Sequence, residues 1–259
     1  MIRRIPVVAV ALGGLAFIAL PIVAVFARLS FRGISSSIVT DALVVSLKTT
    51  FVAQALVLAV GTPTAYALAT HRFRGRSLVV TLVELPIVLP PAVAGIGLLA
   101  AFGRFGLLHT GLPFTQAAVV VAVAFVSGPL YVRQAIAVFE AVDPDLVAAA
   151  RTLGAGRTRT FFRVVLPLAR RGLAAGEALS FARGLGEFGA TIMFAGNLQG
   201  VTQTLPLAIY QEFNTDFTTA LAMSALLVVV SGALLVALRV TLQWQPSKPT
   251  SPFLFAPSR

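Results

Sequence analysis

Long apolar segments alternate with short polar connectors along most of the chain. Each apolar segment reaches about 20 residues, the length that an α-helix needs to cross the hydrocarbon core of a bilayer. The pattern predicts an all-α integral membrane protein with about six transmembrane helices. We expect a further short helix, re-entrant or interfacial, within a polar stretch near the end of the chain. The expected ranges are 5–27, 43–69, 78–102, 116–138, 172–195 and 217–238 for the spans and 205–210 for the short helix.

The first apolar segment has two possible interpretations. It follows Arg3 and Arg4, and a charged start of this kind is also typical of a signal peptide. A signal peptide has a shorter apolar core, of about 7–15 residues, so we favour an uncleaved first span. Small residues at Ala24 and Ala27 leave cleavage open as the alternative.

The third segment contains residues that disturb an ordinary membrane helix, namely Glu84, Pro86, Pro90 and Pro91. A proline removes a backbone hydrogen bond, and lipid tolerates this only where protein or a cavity satisfies the freed carbonyl group. The segment is therefore either a kinked or broken helix near a translocation path or a helix that is merely kinked for packing.

Composition supports a membrane location. The 259 residues are 58% hydrophobic and 11% charged, with a mean hydropathy of +0.93. These charges are too few to cover the surface of a soluble domain. The net charge of +11 is attributed to loops that orient membrane helices, because no basic run is interleaved with aromatic residues as in strand-binding grooves. We predict the lipid bilayer as a partner and no nucleic acid.

Basic residues are unevenly divided between the two sides of the predicted bundle. With six spans, both termini lie on the same side, together with the connectors 71–76 and 139–171. That side carries most of the arginines, and an excess of Lys and Arg marks the cytoplasmic side. We therefore expect a multi-pass protein of the plasma (inner) membrane with both termini in the cytoplasm.

Several kinds of chemistry lack the residues that they need. The chain has no cysteine, and its two histidines, His71 and His109, are far apart in loops. Neither Lys48 nor Lys248 lies in a phosphate-binding loop of the GxxxxGK[ST] type. We therefore expect no enzyme activity, no metal site and no cofactor bound by this chain. Active transport would need an ion gradient or a separate ATPase.

The fifth segment carries charges at membrane depth, at Glu177, Arg183 and Glu187. Such charges are costly in lipid and usually face the interior of a helix bundle. Arg183 and Glu187 are four residues apart and can form an ion pair. We favour a translocation path on this face, with a buried structural ion pair as the alternative. Helical spacing places these residues close together, and the predicted path consists of Ser180, Arg183, Gly184, Glu187 and Thr191.

The connector 140–167 is the longest polar interruption of the pattern. Asp143 is suited to cap a helix that starts with Pro144, and Gly154 can end that helix. A second helix is expected to begin near 158–160 and to run into the fifth segment. A short helix and a glycine corner between membrane segments suit docking on a partner.

This connector resembles the cytoplasmic EAA loop of ABC importer permeases. The family pattern is Glu-Ala-Ala, three residues, Gly, nine residues, a β-branched aliphatic residue, one residue and Leu-Pro. The chain departs from the pattern at Ala148, where the family usually has Glu, and this puts in doubt any salt bridge that the family forms there. The matching positions are Ala149, Ala150, Gly154, Val164, Leu166 and Pro167.

Other segments resemble the molybdate-type permeases, which belong with the sulfate and tungstate importers. The similar stretches are SFARGLGEFGATIMFAGN at 180–197, TQTLPLAIY at 202–210, LPIVLPPAVAG at 85–95 and FRGR at 73–76. The resemblance covers roughly 41–239 and implies the type I ABC importer permease architecture. It divides the chain into a first helix with its connector (1–40), a permease transmembrane domain (41–240) and a cytoplasmic tail (241–259).

The resemblance also implies the partners. The permease would be a homodimer with two cytoplasmic ABC ATPase subunits, which bind ATP and Mg²⁺, and an extracytoplasmic oxyanion-binding protein. Transport would proceed by alternating access, coupled through the EAA loop. The coupling residues that the resemblance implies are Asp145, Ala148, Ala149, Ala150, Arg151, Leu153, Gly154, Leu166 and Pro167.

Molybdate is the favoured substrate, and tungstate and sulfate remain alternatives within the same class. A secondary transporter would also explain charges in the membrane, but it needs no docking helix and often shows two related halves, which this chain lacks. An intramembrane enzyme would need converging nucleophiles or metal ligands. These alternatives differ in their energy source, because only the ABC importer depends on ATP.

Overall fold

The computed structural model describes residues 4–29 and 37–243. Within these ranges all regular secondary structure is helical. The expected cytoplasmic tail lies almost entirely outside the described residues, as does most of the connector after the first helix. The helices are α1 (Arg4–Ala27), α2 (Ser37–Thr70), α3 (Arg76–Val88), α4 (Pro91–Phe102), α5 (Gln116–Glu140), α6 (Pro144–Thr152), α7 (Arg157–Thr160), α8 (Leu166–Leu185), α9 (Gly189–Ala195), α10 (Leu205–Phe213) and α11 (Phe217–Gln243), with a π-helical turn (Phe161–Val165) between α7 and α8.

The number of potential membrane crossings is lower than the pattern predicted. In the described part of the chain, four helices, α1, α2, α5 and α11, are long and apolar enough to cross a membrane. Helices α3 and α4 make a fifth crossing if they are counted as one span. The remaining predicted span, 172–195, is divided between α8 and α9. Helix α8 is too polar to qualify as a membrane span by length and composition, because it contains Arg170, Arg171, Glu177 and Arg183.

The third predicted span is broken. Helix α3 ends at Val88 and α4 begins at Pro91, and the two axes differ by 114°. Pro90 and Pro91 explain the break, because a proline lacks the backbone N–H and disfavours helical backbone in the residue before it. The helix is therefore broken, and its position near a translocation path stays a prediction.

Helix α5 lies at the centre of the bundle, between α2 and α8. Glycines allow the backbones to approach closely on both sides. A Cβ atom added to Gly61 of α2 would lie 3.1 Å from side-chain atoms of both Tyr131 and Val132. A Cβ atom added to Gly176 of α8 would lie 2.8 Å from Cγ of Gln134. These contacts fix the lateral position of α5 relative to α2 and α8.

The two broken segments pack against each other at their breaks. A Cβ atom on Gly95 of α4 would lie 2.7 Å from the carbonyl oxygen of Ala190 in α9. A Cβ atom on Gly189, the first residue of α9, would lie 2.7 Å from Cβ of Pro91. Helices α4 and α9 therefore form a close pair beside α5, held by backbone contacts that leave no room for larger residues.

Helices α10 and α11 are the last described helices, and they pack against α2 and α8. The short helix predicted at 205–210 is present and extends to Phe213. The backbone N–H of Leu205 donates a buried hydrogen bond of 2.6 Å to Oγ of Ser46 in α2. Asp216 precedes α11 and accepts hydrogen bonds from the Thr219 hydroxyl and the Thr218 N–H, at 2.6 and 2.9 Å. The bond from Thr219 lowers the pKa of this carboxyl group.

Candidate functional site

Helix α6 is a short surface helix with the expected caps. The Asp143 side chain accepts a 2.9 Å hydrogen bond from the N–H of Asp145, and Pro144 occupies the first turn. Arg151 lies in the last turn, where a cation interacts favourably with the helix dipole. No residue of α6 is buried. The helix is therefore held by its caps and its flanking segments, and its surface is free for contacts beyond this chain.

Gly154 ends α6 in the way that the sequence predicted. Its φ of +83° lies in the left-handed region, which residues with a Cβ atom rarely adopt. Its N–H bonds to the carbonyl of Arg151, and the N–H of Ala155 bonds to the carbonyl of Ala150, both at 3.0 Å. This is a Schellman motif, and it satisfies carbonyl groups at the end of the helix. The adjacent Leu153 is 88% exposed, which is unusual for leucine.

A continuous helical run connects the α6 corner to the interior of the bundle. Helix α7, the π-helical turn and α8 follow one another without a break from Arg157 to Leu185. Pro167 lies in the first turn of α8 and cannot donate a hydrogen bond to the preceding turn. The wider π-helical turn immediately before it accommodates this loss. The Leu-Pro pair of the motif therefore coincides with a local widening of the helix.

Aromatic rings anchor this helical run to the bundle. Phe161, in the π-helical turn, lies 4.7 Å from the ring of Tyr66 and 6.2 Å from that of Phe139, measured between centroids. The rings of Tyr66 and Phe139 are themselves 5.3 Å apart. The cluster joins α2, α5 and the run that leaves α6. The helical run that leaves α6 is therefore packed against α2 and α5 close to its start.

A cleft of about 990 Å³ lies beside α6. Its walls include the basic connector after α2, the end of α5 and one side of α6, with Arg72, Arg76, Glu140, Ala148 and Arg151 among the lining residues. Arg76 and Glu140 form an ion pair across it. Among the described residues that line the cleft, Glu140 is the one acidic residue, and Ala148 stands where the family usually has Glu.

The predicted fifth span is interrupted, which corrects the expectation of one helix over 172–195. Helix α8 ends at Leu185 and α9 begins at Gly189. The carboxylate of Glu187, 1% exposed, lies in the break and accepts a 2.8 Å hydrogen bond from the N–H of Ala190. Glu187 thereby caps the new helix, and Gly186 before it favours the interruption.

The predicted ion pair between Arg183 and Glu187 is present. Nη1 of Arg183 lies 2.7 Å from Oε2 of Glu187. Oε2 of Glu187 has no hydrogen-bond partner among the described residues, so its interaction with Arg183 is mainly one of charge. Among the five predicted path residues, Arg183 alone is partly exposed. In this conformation Glu187 therefore acts both as a helix cap for α9 and as the counter-ion of Arg183.

Ser180 and Gly184 lie on the packed side of α8. The Ser180 hydroxyl is 3.0 Å from Oε1 of Gln54 and 2.9 Å from the carbonyl oxygen of Ser127. Nε2 of Gln54 donates to Oγ of Ser127 at 3.0 Å, so the three side chains join α2, α5 and α8. A Cβ atom on Gly184 would lie 2.9 Å from Cγ1 of Val123. Here the two predicted path residues hold helices together.

Thr191, the last of the predicted path residues, is fully buried in α9, and its hydroxyl has no hydrogen-bond partner among the described residues. The structure thus brings Arg183 and Glu187 together. It separates them from the interhelical contacts of Ser180 and Gly184. Their roles in transport remain predictions.

Two polar features of the bundle were not predicted from the sequence. Gln54 is a lone amide in an apolar helix, and burial of such a group is costly unless it is hydrogen-bonded. The free-energy cost of burying an unpaired amide could have marked Gln54 as part of a hydrogen-bond network. Arg133 of α5 pairs with Glu84 of α3, with Nε 3.5 Å from Oε1. An arginine within the fourth predicted span could have indicated an ion pair, because a charge at membrane depth usually has a partner.

The sequence matches known proteins over most of its length. Residues 58–243 match the family described as the binding-protein-dependent transport system inner membrane component. The molybdenum transport system permease protein ModB of Mycobacterium tuberculosis is 43% identical over 232 residues, which are 85% of this chain and 88% of that protein. ModB of Escherichia coli K12 is 42% identical over 183 residues, 68% of this chain and 80% of that protein.

Solved structures show the same fold at low sequence identity. A permease chain of a bacterial ABC transporter that imports the acidic polysaccharide alginate has a TM-score of 0.74 at 13% identity, covering 95% of this chain and 97% of that one. A chain of the inward-facing MetNI methionine ABC transporter has a TM-score of 0.63 at 19% identity, covering 79% and 94%. The predicted all-α permease architecture is therefore confirmed.

These matches settle the family and the general location of the chain. Apolar helices that can cross a membrane more than once agree with the inner-membrane description of the family. The relatives are transport permeases, so the expectation of a transporter in place of an enzyme is confirmed. The chain belongs to the family of inner-membrane components of binding-protein-dependent transport systems, the permeases of ABC importers.

Proposed function

We propose that this chain is the membrane-spanning subunit of an ATP-driven importer that moves molybdate into the cell. The observation that carries the proposal is the 43% identity over 232 residues to a protein named a molybdenum transport permease. The family match at residues 58–243 includes the coupling loop, the α8–α9 break and α10.

We further propose that α6 docks on a separate ABC ATPase. Two observations support this assignment. The chain carries no phosphate-binding loop of its own, so ATP must be bound elsewhere. Helix α6 buries none of its residues and presents Leu153 almost fully to the outside. The coupling residues from Asp145 to Gly154 would form the contact, while Leu166 and Pro167 connect it to α8.

The remaining partners follow from the same proposal. Two copies of the permease would form the transport unit, and an oxyanion-binding protein would deliver the substrate from outside. One similar structure is an alginate transporter in complex with a substrate-bound periplasmic protein, with a TM-score of 0.74 at 14% identity. The side that carries α6 and both termini would face the cytoplasm, because it holds most of the arginines.

Transport would use alternating access between two conformations. ATP shifts the equilibrium between them only if the ATPase binds it differently in each. Rigid-body motion of α6 would then pass through the helical run to α8. The ion pair of Arg183 and Glu187 lies at the far end of that run, where a change in helix position would alter access to the arginine.

Two alternatives are distinguished by experiment. Tungstate and molybdate have nearly the same size and charge, and sulfate shares their tetrahedral shape, so selectivity is expected to arise mainly at the binding protein. A secondary transporter would take up substrate without ATP, driven by an ion gradient.

The test is uptake into proteoliposomes that contain the permease, its ATPase and the binding protein. We expect uptake of labelled molybdate that requires ATP and is strongly inhibited by excess tungstate but weakly by sulfate. The control omits the binding protein. Inhibition by equimolar sulfate that matches inhibition by unlabelled molybdate would contradict the molybdate assignment, and uptake driven by an ion gradient without ATP would contradict the importer mechanism.

A further inference from the structure

Arg133 is a charged residue within the span α5 that the proposed coupling mechanism does not use. It lies seven residues before Glu140, the last residue of the helix, and therefore about 10 Å inside that end. Its side chain is 66% exposed, although it pairs with Glu84 of α3. An arginine at membrane depth is costly and usually faces the bundle interior or a water-filled cavity. This position calls for an explanation other than packing.

The register of α5 and α8 relates Arg133 to Arg183. The two helices run antiparallel, and Gln134 contacts Gly176 while Ser127 bonds to Ser180. Arg133 is therefore nearly level with Gly176, seven residues before Arg183 in α8. The two arginines are separated by about 10 Å along the helix axes, with Arg133 nearer the α6 end.

Both arginines also lie away from the side that α2 covers. Helix α2 packs on Tyr131 and Val132 of α5 through Gly61, and the Tyr131 hydroxyl is 2.6 Å from that of Thr62. The next residue, Arg133, turns toward α3. On α8, the contacts to α2 include those of Ser180 with Gln54 and of Phe181 with Phe51, whereas the Arg183 side chain is 36% exposed. The exposed guanidinium groups therefore share the open side of the α5–α8 pair.

We infer that Arg133 and Arg183 are two successive contact points for the oxyanion as it crosses the membrane, an assignment that rests on the proposed function. A guanidinium group can donate two parallel hydrogen bonds to a tetrahedral oxyanion, as it does to phosphate. Two such groups about 10 Å apart along one face give a stepwise route from the α8–α9 break toward the α6 end.

The two counter-ions explain how the route binds an anion without trapping it. Conduction requires sites that attract the ion but release it readily. Glu187 is buried, fixed by its bond to Ala190 and only 2.7 Å from Arg183, so it reduces the positive charge at the first site. Glu84 is 35% exposed and 3.5 Å from Arg133, so it can move aside more easily. Arg133 is thus the stronger and more adaptable of the two sites.

The first part of the test measures ATP-dependent molybdate uptake in proteoliposomes that contain the full complex. Arg133→Gln is expected to lower the initial uptake rate at least tenfold, and Arg133→Lys should retain an intermediate rate. Arg28→Gln, which removes the same charge at the exposed end of α1, is the control and should behave as the wild type. Association with the ATPase, measured by co-purification, should be normal in all three variants.

The second part uses the absence of cysteine in the chain. An Arg133→Cys thiol, combined with Glu84→Gln so that no unpaired carboxylate remains beside it, should react faster with an anionic thiosulfonate than with a cationic one, because Arg183 attracts anions to this face. Molybdate should slow that reaction. The preference for the anionic reagent should fall when Arg183→Gln is added. Val44→Cys, on an exposed part of α2, should show neither effect and serves as the matched control.

The outcomes separate the inference from the proposed function. Uptake by Arg133→Gln within twofold of the wild type, with a thiol at that position indifferent to reagent charge, would overturn the inference. If vesicles with the wild-type complex take up no molybdate under any condition, the proposed function fails. The thiol-labelling experiment then tests the anion route by itself. A charge preference that depends on Arg183 would then still support an anion route along this face, and equal rates would contradict it.

Discussion

The run from α6 to α9 contains two glycine-bearing corners, and they differ in almost every respect. At the first, Gly154 has a φ of +83° and nothing within 4 Å of an added Cβ atom, and α6 buries no residue. At the second, Gly189 is packed against Pro91, and Glu187 beside it is 1% exposed. The first corner is shaped by backbone conformation alone, whereas the second is shaped by its neighbours.

This difference indicates what completes each region. The second corner is completed within the chain by α4, by the Glu187 cap and by the Arg183 ion pair. The first is incomplete, because an exposed alanine-rich helix with an exposed Leu153 gains little from its own fold. Substitutions at the second corner should therefore affect stability, and those at the first should affect association with a partner.

The largest effect is expected where α4 and α9 touch through backbone atoms. Gly95→Ala would place Cβ 2.7 Å from the Ala190 carbonyl oxygen, so one helix must move. Overpacking of this kind costs about 1–3 kcal/mol. Gly97→Ala, in the same helix with nothing within 4 Å, is the matched control and should be neutral or stabilising. The measurement is the thermal unfolding midpoint in detergent. Equal midpoints for the two variants would contradict the close packing of α4 and α9.

An effect of similar size is expected from the buried network that joins α2, α5 and α8. Gln54→Leu should destabilise the protein by about 1–3 kcal/mol, because Ser127 and Ser180 lose a hydrogen-bond partner away from water. Thr64→Ala, which removes only a local bond to the carbonyl of Val60 in the same helix, should cost less. Midpoints of unfolding in the same detergent compare the two. A larger loss in Thr64→Ala would refute the proposed importance of the network.

The smallest effect on stability, with a clear effect on association, is expected at the first corner. A left-handed conformation costs a residue with a Cβ atom about 1–2 kcal/mol. Because α6 buries no residue, the corner of Gly154→Ala can relax to another conformation with little loss of stability, and ATPase affinity should fall by at least fivefold. Gly156→Ala has an ordinary φ of −63° and free space around it, and it should bind normally. Binding is measured with the purified ATPase, and unfolding midpoints should match for both variants. Equal affinities would show that the shape of the corner does not matter for docking.

The sequence predicted the first corner much better than the second. Capping residues and a terminal glycine act locally, so Asp143, Pro144 and Gly154 were sufficient to place α6. The break after Leu185 depends on contacts with α4, which local pattern does not contain. Ser180 and Arg183 both lie on α8, and helical spacing grouped them on one face. It could not separate the residue that bonds to Gln54 from the one that stays partly exposed.

In the third predicted span, the sequence predicted the position of the break but not the angle between its two halves. Pro90 and Pro91 predicted a disturbance of the helix, and the break occurs there. The bend of 114° could not be predicted, because it is set by the packing of α4 on α9. The pair of Arg133 and Glu84 likewise joins residues far apart in the chain, which only the folded bundle brings together.

In the proposed mechanism, the continuous helix from Arg157 to Leu185 transmits motion from the first corner to the second. The most direct measurement is the ratio of molybdate imported to ATP hydrolysed in proteoliposomes, after insertion of two glycines following Pro167. The same insertion after Gly111, in an exposed connector, is the control. We predict that the insertion after Pro167 leaves ATPase binding and hydrolysis in place and lowers the transport ratio at least tenfold. An unchanged ratio would contradict the connection.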